Sequence, residues 1–395
     1  MQQADIAIVG GGLAGGLIAL ALRQRRPDCD VVLVEGEDAL GGNHRWSWFE
    51  SDLPDDERAL LAPFTKVHWD GGYEVRFPAY SRTLASTYRS LASVDFDRCL
   101  RRELAQSAIL TGRRVAALDA GGVDLADGSR IGARAVIDCR GAVPSAHLRG
   151  GWQVFMGRHL KTPGPHGLTK PVIMDATVSQ PEAYRFLYVL PLSEDEVFLE
   201  DTYYQDLPIL DRDALSQRLD EYAAAHGLSG GVVGEETGIL PVITGGAFGE
   251  YQLEQAIPGV AMAGARGGFV HPLTSYTVPF AARTALFVAA HADLPGEELA
   301  ARLADHAREH WSRTRFYRRL GAMLFGAARP RERYKVFQRF YRLDGSLIER
   351  FYAGRSTLLD RARILAGKPP VPVGRAISAL AGAGDPLVSG KEKIG

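Results

Sequence analysis

Three glycines set between a strand and a helix constrain this chain more than any other feature. Residues Asp5-Ile6-Ala7-Ile8-Val9 form a short apolar run that predicts a buried strand. Gly10-Gly11-Gly12-Leu13-Ala14-Gly15-Gly16 follows at once, and an Ala/Leu-rich stretch over 17–22 predicts a helix broken by Pro27 and Asp28. Val31-Val32-Leu33-Val34-Glu35 predicts a second buried strand. The result is a βαβ opening with Gly10-x-Gly12-x-x-Gly15 at its first turn and an acid closing the next strand, which is the fingerprint of a dinucleotide site. Gly10 permits the tight turn, Gly12 lets the backbone approach a pyrophosphate, and Gly15 lets helix and strand pack closely. Leu13 and Ala14 stand at the helix N-terminus, whose unpaired N–H groups and partial positive charge suit phosphate, and Glu35 is placed to accept from a ribose hydroxyl.

FAD and NAD share this fingerprint, so its position decides between them. The motif starts at residue 5 and no second GxGxxG stands in a βαβ context. In flavoproteins resembling the aromatic-hydroxylase group, the chain returns late to the flavin through a strand, a glycine turn and a helix. Val260-Ala261-Met262-Ala263-Gly264-Ala265-Arg266-Gly267-Gly268 has that form, and Val136-Ile137-Asp138-Cys139-Arg140-Gly141 is similar to that group's middle segment. The expected cofactor is FAD, with NAD alone as the alternative. Gly10, Gly12, Leu13, Ala14, Gly15, Glu35, Gly141, Gly264, Ala265, Gly267 and Gly268 are its expected contacts. Ala265 stands where the group usually carries an Asp, so no carboxylate is expected there for the ribityl chain.

The expected architecture is α/β: a Rossmann-like FAD-binding domain of the aromatic-hydroxylase type with an inserted β-rich substrate domain and a C-terminal helical region. Residues 1–70, 95–150 and 255–295 are assigned to the first, 71–94 and 151–254 to the second, and 296–395 to the third. Short strands are read at 108–110, 115–118, 123–125 and 135–138, with Asp127-Gly128 as a hairpin turn. Further strands are read at 172–174, 186–190 and 197–199, and several Arg- and aromatic-rich helices at 296–366. Residues 367–395, rich in Pro, Gly and Ala, end in a polar tail that is expected to be loosely held. The three cysteines are scattered with no metal spacing, and residue 1 runs into a strand without a signal-peptide pattern, so a reducing, cytoplasmic setting without zinc is expected.

Phe198-Leu199-Glu200-Asp201-Thr202 puts two adjacent carboxylates at the end of an apolar strand. Successive strand residues face opposite ways, so a cavity that receives Glu200 does not receive Asp201 unless the strand ends or bulges. A carboxyl in an apolar pocket stays protonated near neutral pH and serves as a general acid, whereas an acidic strand end facing water does not. Taken alone, the motif leaves both readings open.

Gly41-Gly42-Asn43-His44-Arg45-Trp46-Ser47-Trp48, Phe198-Leu199-Glu200-Asp201-Thr202 and Arg266-Gly267-Gly268-Phe269-Val270-His271-Pro272-Leu273-Thr274-Ser275-Tyr276 together resemble the bacterial lycopene β-cyclases. The resemblance extends over Val75-Arg76-Phe77-Pro78, Gly151-Trp152-Gln153-Val154-Phe155 and Met174-Asp175-Ala176, and so runs in order along nearly the whole chain. Two departures are Asp201, where the family commonly has Glu, and Ser275, where it has Gly. The resemblance implies a redox-neutral, acid-initiated cyclisation of the ψ-ends of lycopene to β-rings, through γ-carotene to β-carotene. It further implies FAD active in its reduced form and NAD(P)H as the external reductant. Glu200 is the expected acid, with Asp201 and His271 as further catalytic candidates. For His271 the alternative is a packing histidine; for Trp46, Trp48, Trp69, Trp152 and Tyr276 the alternatives are a polyene tunnel and plain core. Arg266 either balances flavin charge or pairs on the surface. Two other functions compete: an FAD-dependent monooxygenase or dehydrogenase on a hydrophobic substrate, and a non-catalytic isoprenoid-binding flavoprotein.

The basic end bears on partners. Residues 301–368 hold 17 Lys and Arg against 6 Asp and Glu, in a chain whose net charge is −1. A helix framed by Trp311, Arg315, Arg318 and Arg319, with Phe316, Leu320, Met323 and Leu324 on its apolar side, predicts contact with an anionic membrane surface. The alternative is packing on the protein's own core. No nucleic-acid module accompanies the charge, and no window of roughly 18 apolar residues is long enough to span a bilayer. The expected location is therefore cytoplasmic and peripheral to the membrane, with lycopene and γ-carotene as substrates and contact with other carotenoid enzymes.

Overall fold

The computed structural model describes residues 2–181, 183–367, 371–382 and 384–388. The apolar run at the N-terminus is the strand Gln2–Val9, the glycine turn follows, and the helix Leu13–Arg25 leads to the strand Val31–Val34. These two strands pair in parallel from Ile6↔Val31 to Val9↔Val34. On the other side of Gln2–Val9 lies Arg130–Asp138, also parallel, ending in register at Val9↔Asp138. Val260–Met262 adds in parallel to the same strand, with Asp138↔Met262. Strands from three distant parts of the chain thus end at one level, and in an open parallel sheet ligands bind beyond those carboxyl ends. The hairpin of Val115–Asp119 and Gly122–Leu125 extends the sheet, and the expected Asp127-Gly128 turn joins Gly122–Leu125 to Arg130–Asp138.

Glycine is required at the turn for steric reasons. Gly10 has φ +100, and a Cβ there would lie 2.9 Å from the carbonyl carbon of Cys139. A Cβ on Gly15 would lie 2.0 Å from the carbonyl oxygen of Gly10. The helix Leu13–Arg25 is buried along most of its length and packs against the helix Val278–Ala290. That second helix does not begin at the late glycine turn, as the sequence suggested, but only after the intervening loop 269–277.

A second sheet of eight strands lies against the first unit. Its order is Gly231–Gly246, Ser145–Lys161, Glu196–Gln205, Tyr184–Pro191, Val172–Asp175, Tyr73–Phe77 and Tyr80–Leu84, with Pro386–Leu387 pairing on Ser145–Lys161. Alternation sorts the strand Glu196–Gln205 into two faces. Val197, Leu199 and Tyr203 pack with Leu215, Leu219 and Tyr222 of the helix Arg212–Ala225. Phe198 and Tyr204 join the aromatic core on the opposite face. Arg45–Phe49, Tyr88–Ala92 and Val67–Trp69 form a small third sheet.

The C-terminal part is helical, as expected. In Gly296–Arg313, Leu299, Leu303 and Ala307 recur every four residues and are buried, each of the two leucines stabilising the fold by roughly 1.5–3 kcal/mol. The next helix, Arg315–Ala327, corrects the expected membrane dock. Leu324 is buried, Phe316 and Leu320 pack on the aromatic core, and Arg318 is buried with its guanidinium 3.6 Å from the centre of the Trp311 ring. This apolar side already has a protein partner. Farther on, Val373–Ala381 is a helix packed on Arg315–Ala327, and Pro386–Leu387 is a strand. The polar tail from 389 to 395 lies outside the described residues. Among the described residues no helix is long and apolar enough to cross a membrane.

Candidate active site

Beyond the carboxyl ends of the parallel strands a cavity of about 430 Å³ runs from Gly12, Leu13 and Ala14 to the eight-stranded sheet, within the range of small-molecule sites. Gly141, Gly264, Ala265 and Gly268 line the same end. Gly12 caps the first helix with no side-chain hydrogen bond, and nothing lies within 4 Å of where its Cβ would be. The helix's first N–H groups therefore face open space. Gly264 has φ +60, and a Cβ there would meet the Ala14 methyl at 2.6 Å, so the early and late glycine turns touch. Glu35 accepts from Gly11 N–H at 2.7 Å and from Glu37 N–H at 3.0 Å, which ties the second strand end to the turn. Gly10, Gly15 and Gly267 shape the backbone of these turns and do not line the cavity.

At the far end stands Glu200, with Tyr88, Tyr188, Tyr276, Trp46 and Phe198 around it. Its strand places it opposite Gly157 on one neighbour and Tyr188 on the other. The hydroxyl of Thr202, two residues along and on the same face, donates to Glu200 Oε1 at 2.7 Å. The residue opens onto the cavity but lies deep in the protein, and this desolvation pushes its carboxyl up to about 7. A carboxyl poised there holds a proton near neutral pH, as a general acid requires.

Asp201 points the other way, as alternation demands. It is fully buried on the face covered by the helix Arg212–Ala225, accepting from Arg185 Nε at 2.8 and 3.1 Å and from the Tyr203 hydroxyl at 2.9 Å. Burial raises its pKa, and the Arg185 guanidinium offsets this only in part. The structure does not bring Asp201 to the cavity.

Nor does it bring His271, which is fully buried. One ring nitrogen faces the Phe351 carbonyl at 3.2 Å, and the other accepts from Thr274 N–H at 3.2 Å. Burial lowers its pKa to about 3, so the ring is neutral and ties the loop after the glycine turn to the helix Gly345–Tyr352. Its place is that of the packing alternative. Arg266 lies 3.4 Å from Asp138 and donates to the Arg140 carbonyl at 3.0 Å. Trp46, Trp152 and Tyr276 line the cavity, whereas Trp48 is core and Trp69 donates its indole N–H to the Pro191 carbonyl.

Sequence reasoning missed three cavity groups. Tyr88 and Tyr188 carried no signal beyond being aromatic. Glu236, buried beside Glu200, did carry one: Glu235-Glu236-Thr237 repeats the acid-acid-Thr pattern of Glu200-Asp201-Thr202 on another strand.

The architecture is shared with solved structures. A geranylgeranyl bacteriochlorophyll reductase-like protein from Thermoplasma acidophilum superposes with a TM-score of 0.60 at 13% identity, over 96% of this chain and 99% of that one. A probable FAD-dependent monooxygenase from Pseudomonas aeruginosa gives 0.58 at 18% identity, over 84% and 98%. A salicylate hydroxylase gives 0.58 at 15% identity, over 93% and 99%. The chain thus has the Rossmann-type α/β fold of these proteins, with its cavity at the switch from parallel sheet to eight-stranded sheet. The family model described as lycopene cyclase protein matches residues 5–378. Lycopene beta-cyclases of Pseudescherichia vulneris and Paracoccus sp. are each 43% identical, over 94% and 95% of this chain and 96% and 97% of theirs. That of Pantoea ananas is 41% identical over 95% and 97%. The chain belongs to the lycopene cyclase family.

Proposed function

We propose that this protein is a lycopene β-cyclase, closing the ψ-ends of lycopene to β-rings by way of γ-carotene, with Glu200 as the general acid. The observation that carries this reading is a proton-holding carboxyl, Glu200, in an aromatic cavity that adjoins a dinucleotide cradle. Family membership and relatives 41–43% identical over nearly the whole chain support the substrate class.

The residues present fit FAD. The open space at Gly12 and the uncapped first helical turn at Leu13 and Ala14 suit a diphosphate. Glu35, at the end of the second strand, retains lone pairs for a ribose. Gly141, Gly264, Ala265 and Gly268 leave room along the way to Glu200, and Gly10, Gly15 and Gly267 hold the turns in shape. Bound in reduced form, FAD supplies negative charge beside a developing cation.

The chain's own residues perform the proton chemistry. Glu200 gives its proton to C2 of the terminal alkene, leaving positive charge at C1. The C5–C6 double bond then attacks C1, and the C6 proton passes to the Glu200 carboxylate, which completes the ring. One proton enters and one leaves, so the reaction is redox-neutral. The aromatic faces of Trp46, Phe198, Tyr88, Tyr188 and Tyr276 suit a cation, and their bulk excludes water that would trap it as an alcohol.

NAD(P)H is the proposed external reductant, and an anionic membrane surface the proposed source of substrate. With Arg315–Ala327 packed inward, the lipid-facing residues are placed instead on the outer helices, where Leu358 and Leu359 are 80% and 83% exposed and Ile377 is 63% exposed. Contact with the enzymes that supply lycopene and consume β-carotene belongs to the same proposal.

The test is anaerobic turnover of lycopene in liposomes with reduced FAD in heavy water. The expected product carries one solvent deuterium at C2 of each new ring, and Glu200→Gln lowers turnover by about 10²–10⁴-fold. Rings without deuterium, or product that forms only when oxygen and NAD(P)H are supplied, would favour the monooxygenase reading instead.

A further inference from the structure

Glu200 does not stand alone in the cavity. The strand Ser145–Lys161 runs between Glu196–Gln205 and Gly231–Gly246, and its Gly157 pairs with Glu200 on one side and with Glu236 on the other. Paired residues present the same face of a sheet, so the two glutamates lean towards each other across a position that has no side chain. Their backbones are two strand spacings apart, about 10 Å, a gap that two Glu side chains bridge. A Cβ at Gly157 would lie 3.1 Å from Glu236 Cγ and 2.3 Å from the Phe198 ring, so the notch is needed. Across it the two carboxyl groups are in hydrogen-bonding contact. Carboxyls in such contact do not both ionise; one proton stays between them.

We propose that Glu236 is the proton-sharing partner of Glu200, and that the two act as one dyad that retains its acidic proton inside the cavity. Resting on the assignment of Glu200 as the acid, this names the group that keeps it charged with a proton. The surrounding groups fit. Glu236 feels the guanidinium of Arg45, which lies 5.4 Å from the centre of the Phe198 ring. Glu200 has the Thr202 hydroxyl and, farther off, the phenols of Tyr88 and Tyr188. The neighbouring acids are turned away: Asp201 pairs with Arg185, and Glu235 with Arg158 at 2.7 Å. His44, also at the cavity, has its pKa lowered by desolvation. Desolvation pushes the two carboxyls up to about 7 and about 9, values that belong to the pair, which keeps one proton until the upper one is passed. In the acid step the O–H bond of Glu200 breaks, the π electrons of C1=C2 form the new C2–H bond, and the pair is left as a concentrated negative charge facing C1. Glu236 is a positioning residue in this scheme, acting through Glu200.

The pH profile of turnover tests the dyad in FAD-loaded full-length protein on lycopene liposomes. Glu236→Gln removes the second titrating group and gives the Glu200 carboxylate a neutral donor, so the alkaline limb moves from near 9 to 7 or below. The ratio of variant to wild-type turnover then falls by about tenfold between about pH 6 and about pH 8. Glu236→Asp restores the limb in large part. A limb that stays in place in Glu236→Gln, or a loss equal at every pH, overturns the dyad while leaving Glu200 as acid; full activity in Glu200→Gln would instead remove the acid assignment itself. Should Glu236→Gln not fold, infrared difference spectra of the wild-type protein decide. A carbonyl band from a protonated carboxyl persisting at about pH 8 and lost above about pH 10 supports the pair, and its absence at about pH 8 overturns it.

Discussion

Replacing Asp201 with leucine should damage the fold and spare the chemistry. Its carboxylate is 0% exposed, takes two bonds from Arg185 Nε and one from Tyr203, and the Arg185 side chain is itself only 7% exposed. Removal leaves Arg185 with the Ser179 hydroxyl at 3.3 Å as its remaining side-chain hydrogen-bond partner among the described residues, beside the Tyr203 ring at 5.8 Å. Breaking a buried ion pair from one side costs about 3–5 kcal/mol, because the surviving charge has neither water nor a counter-ion. Urea unfolding at fixed FAD concentration, since bound ligand adds to stability, should therefore show a loss in that range. Turnover per folded molecule should stay within about threefold of the parent, since Asp201 faces the helix Arg212–Ala225 and not the cavity. Joining Asp201→Leu to Arg185→Met should recover most of the stability, as apolar replacements of whole buried pairs do. A stability change under about 1 kcal/mol with a hundredfold loss of turnover would refute the reasoning and return Asp201 to the chemistry.

Gly12→Val should fill the open space at the first helical turn and abolish flavin retention on desalting, while the far-ultraviolet dichroism of the apoprotein stays unchanged; retained flavin would move the diphosphate elsewhere. Gly157→Ala should cost about 1–3 kcal/mol by overpacking, since Phe198 and Glu236 must both shift, and should lower turnover of the folded protein as well. If only stability changes, the notch does not matter to the acid. Stability should also fall on acidification below about pH 6.5. His271 and His310, lowered by burial to about 3 and about 4, bind fewer protons folded than unfolded across that window. The slope is on the order of 1.4 kcal/mol per pH unit for each histidine, and it should shrink in His271→Gln, read by denaturant titration at several pH values.

The glycine turn was legible because each of its residues answers to a local steric demand: Gly10 to a positive φ, Gly15 to the carbonyl of Gly10. Glu200 was legible as a carboxyl that enters a cavity because period-two alternation in a strand allows one of two neighbouring carboxylates there, and the apolar residues before it imply burial. The nearness of Glu236 to it was not, although Glu235-Glu236-Thr237 repeats the local pattern. Glu236 reaches Glu200 across a strand whose register no local pattern announces, and Gly157 reads in sequence as one glycine among 44. His271 and the helix Arg315–Ala327 show the opposite error. A histidine beside a glycine turn and an Arg-rich amphipathic helix both suggest a ligand, but packing against Phe351 and the aromatic core satisfies them from within. Sequence pattern shows that a residue has a face to cover; it does not say whether protein, substrate or lipid covers it.

The cavity also has a history in time. Its wall joins Gly12, near the start of the chain, to Leu387, on the strand that pairs with Ser145–Lys161. At synthesis rates of about 5–20 residues per second, roughly 20–80 seconds separate the emergence of those two residues. The strand Gln2–Val9 must wait for Arg130–Asp138, and that strand for Val260–Met262. A ribosome-bound chain therefore carries the nucleotide fingerprint long before its cavity has a complete wall, since Leu387 takes its place there only after everything between has been made.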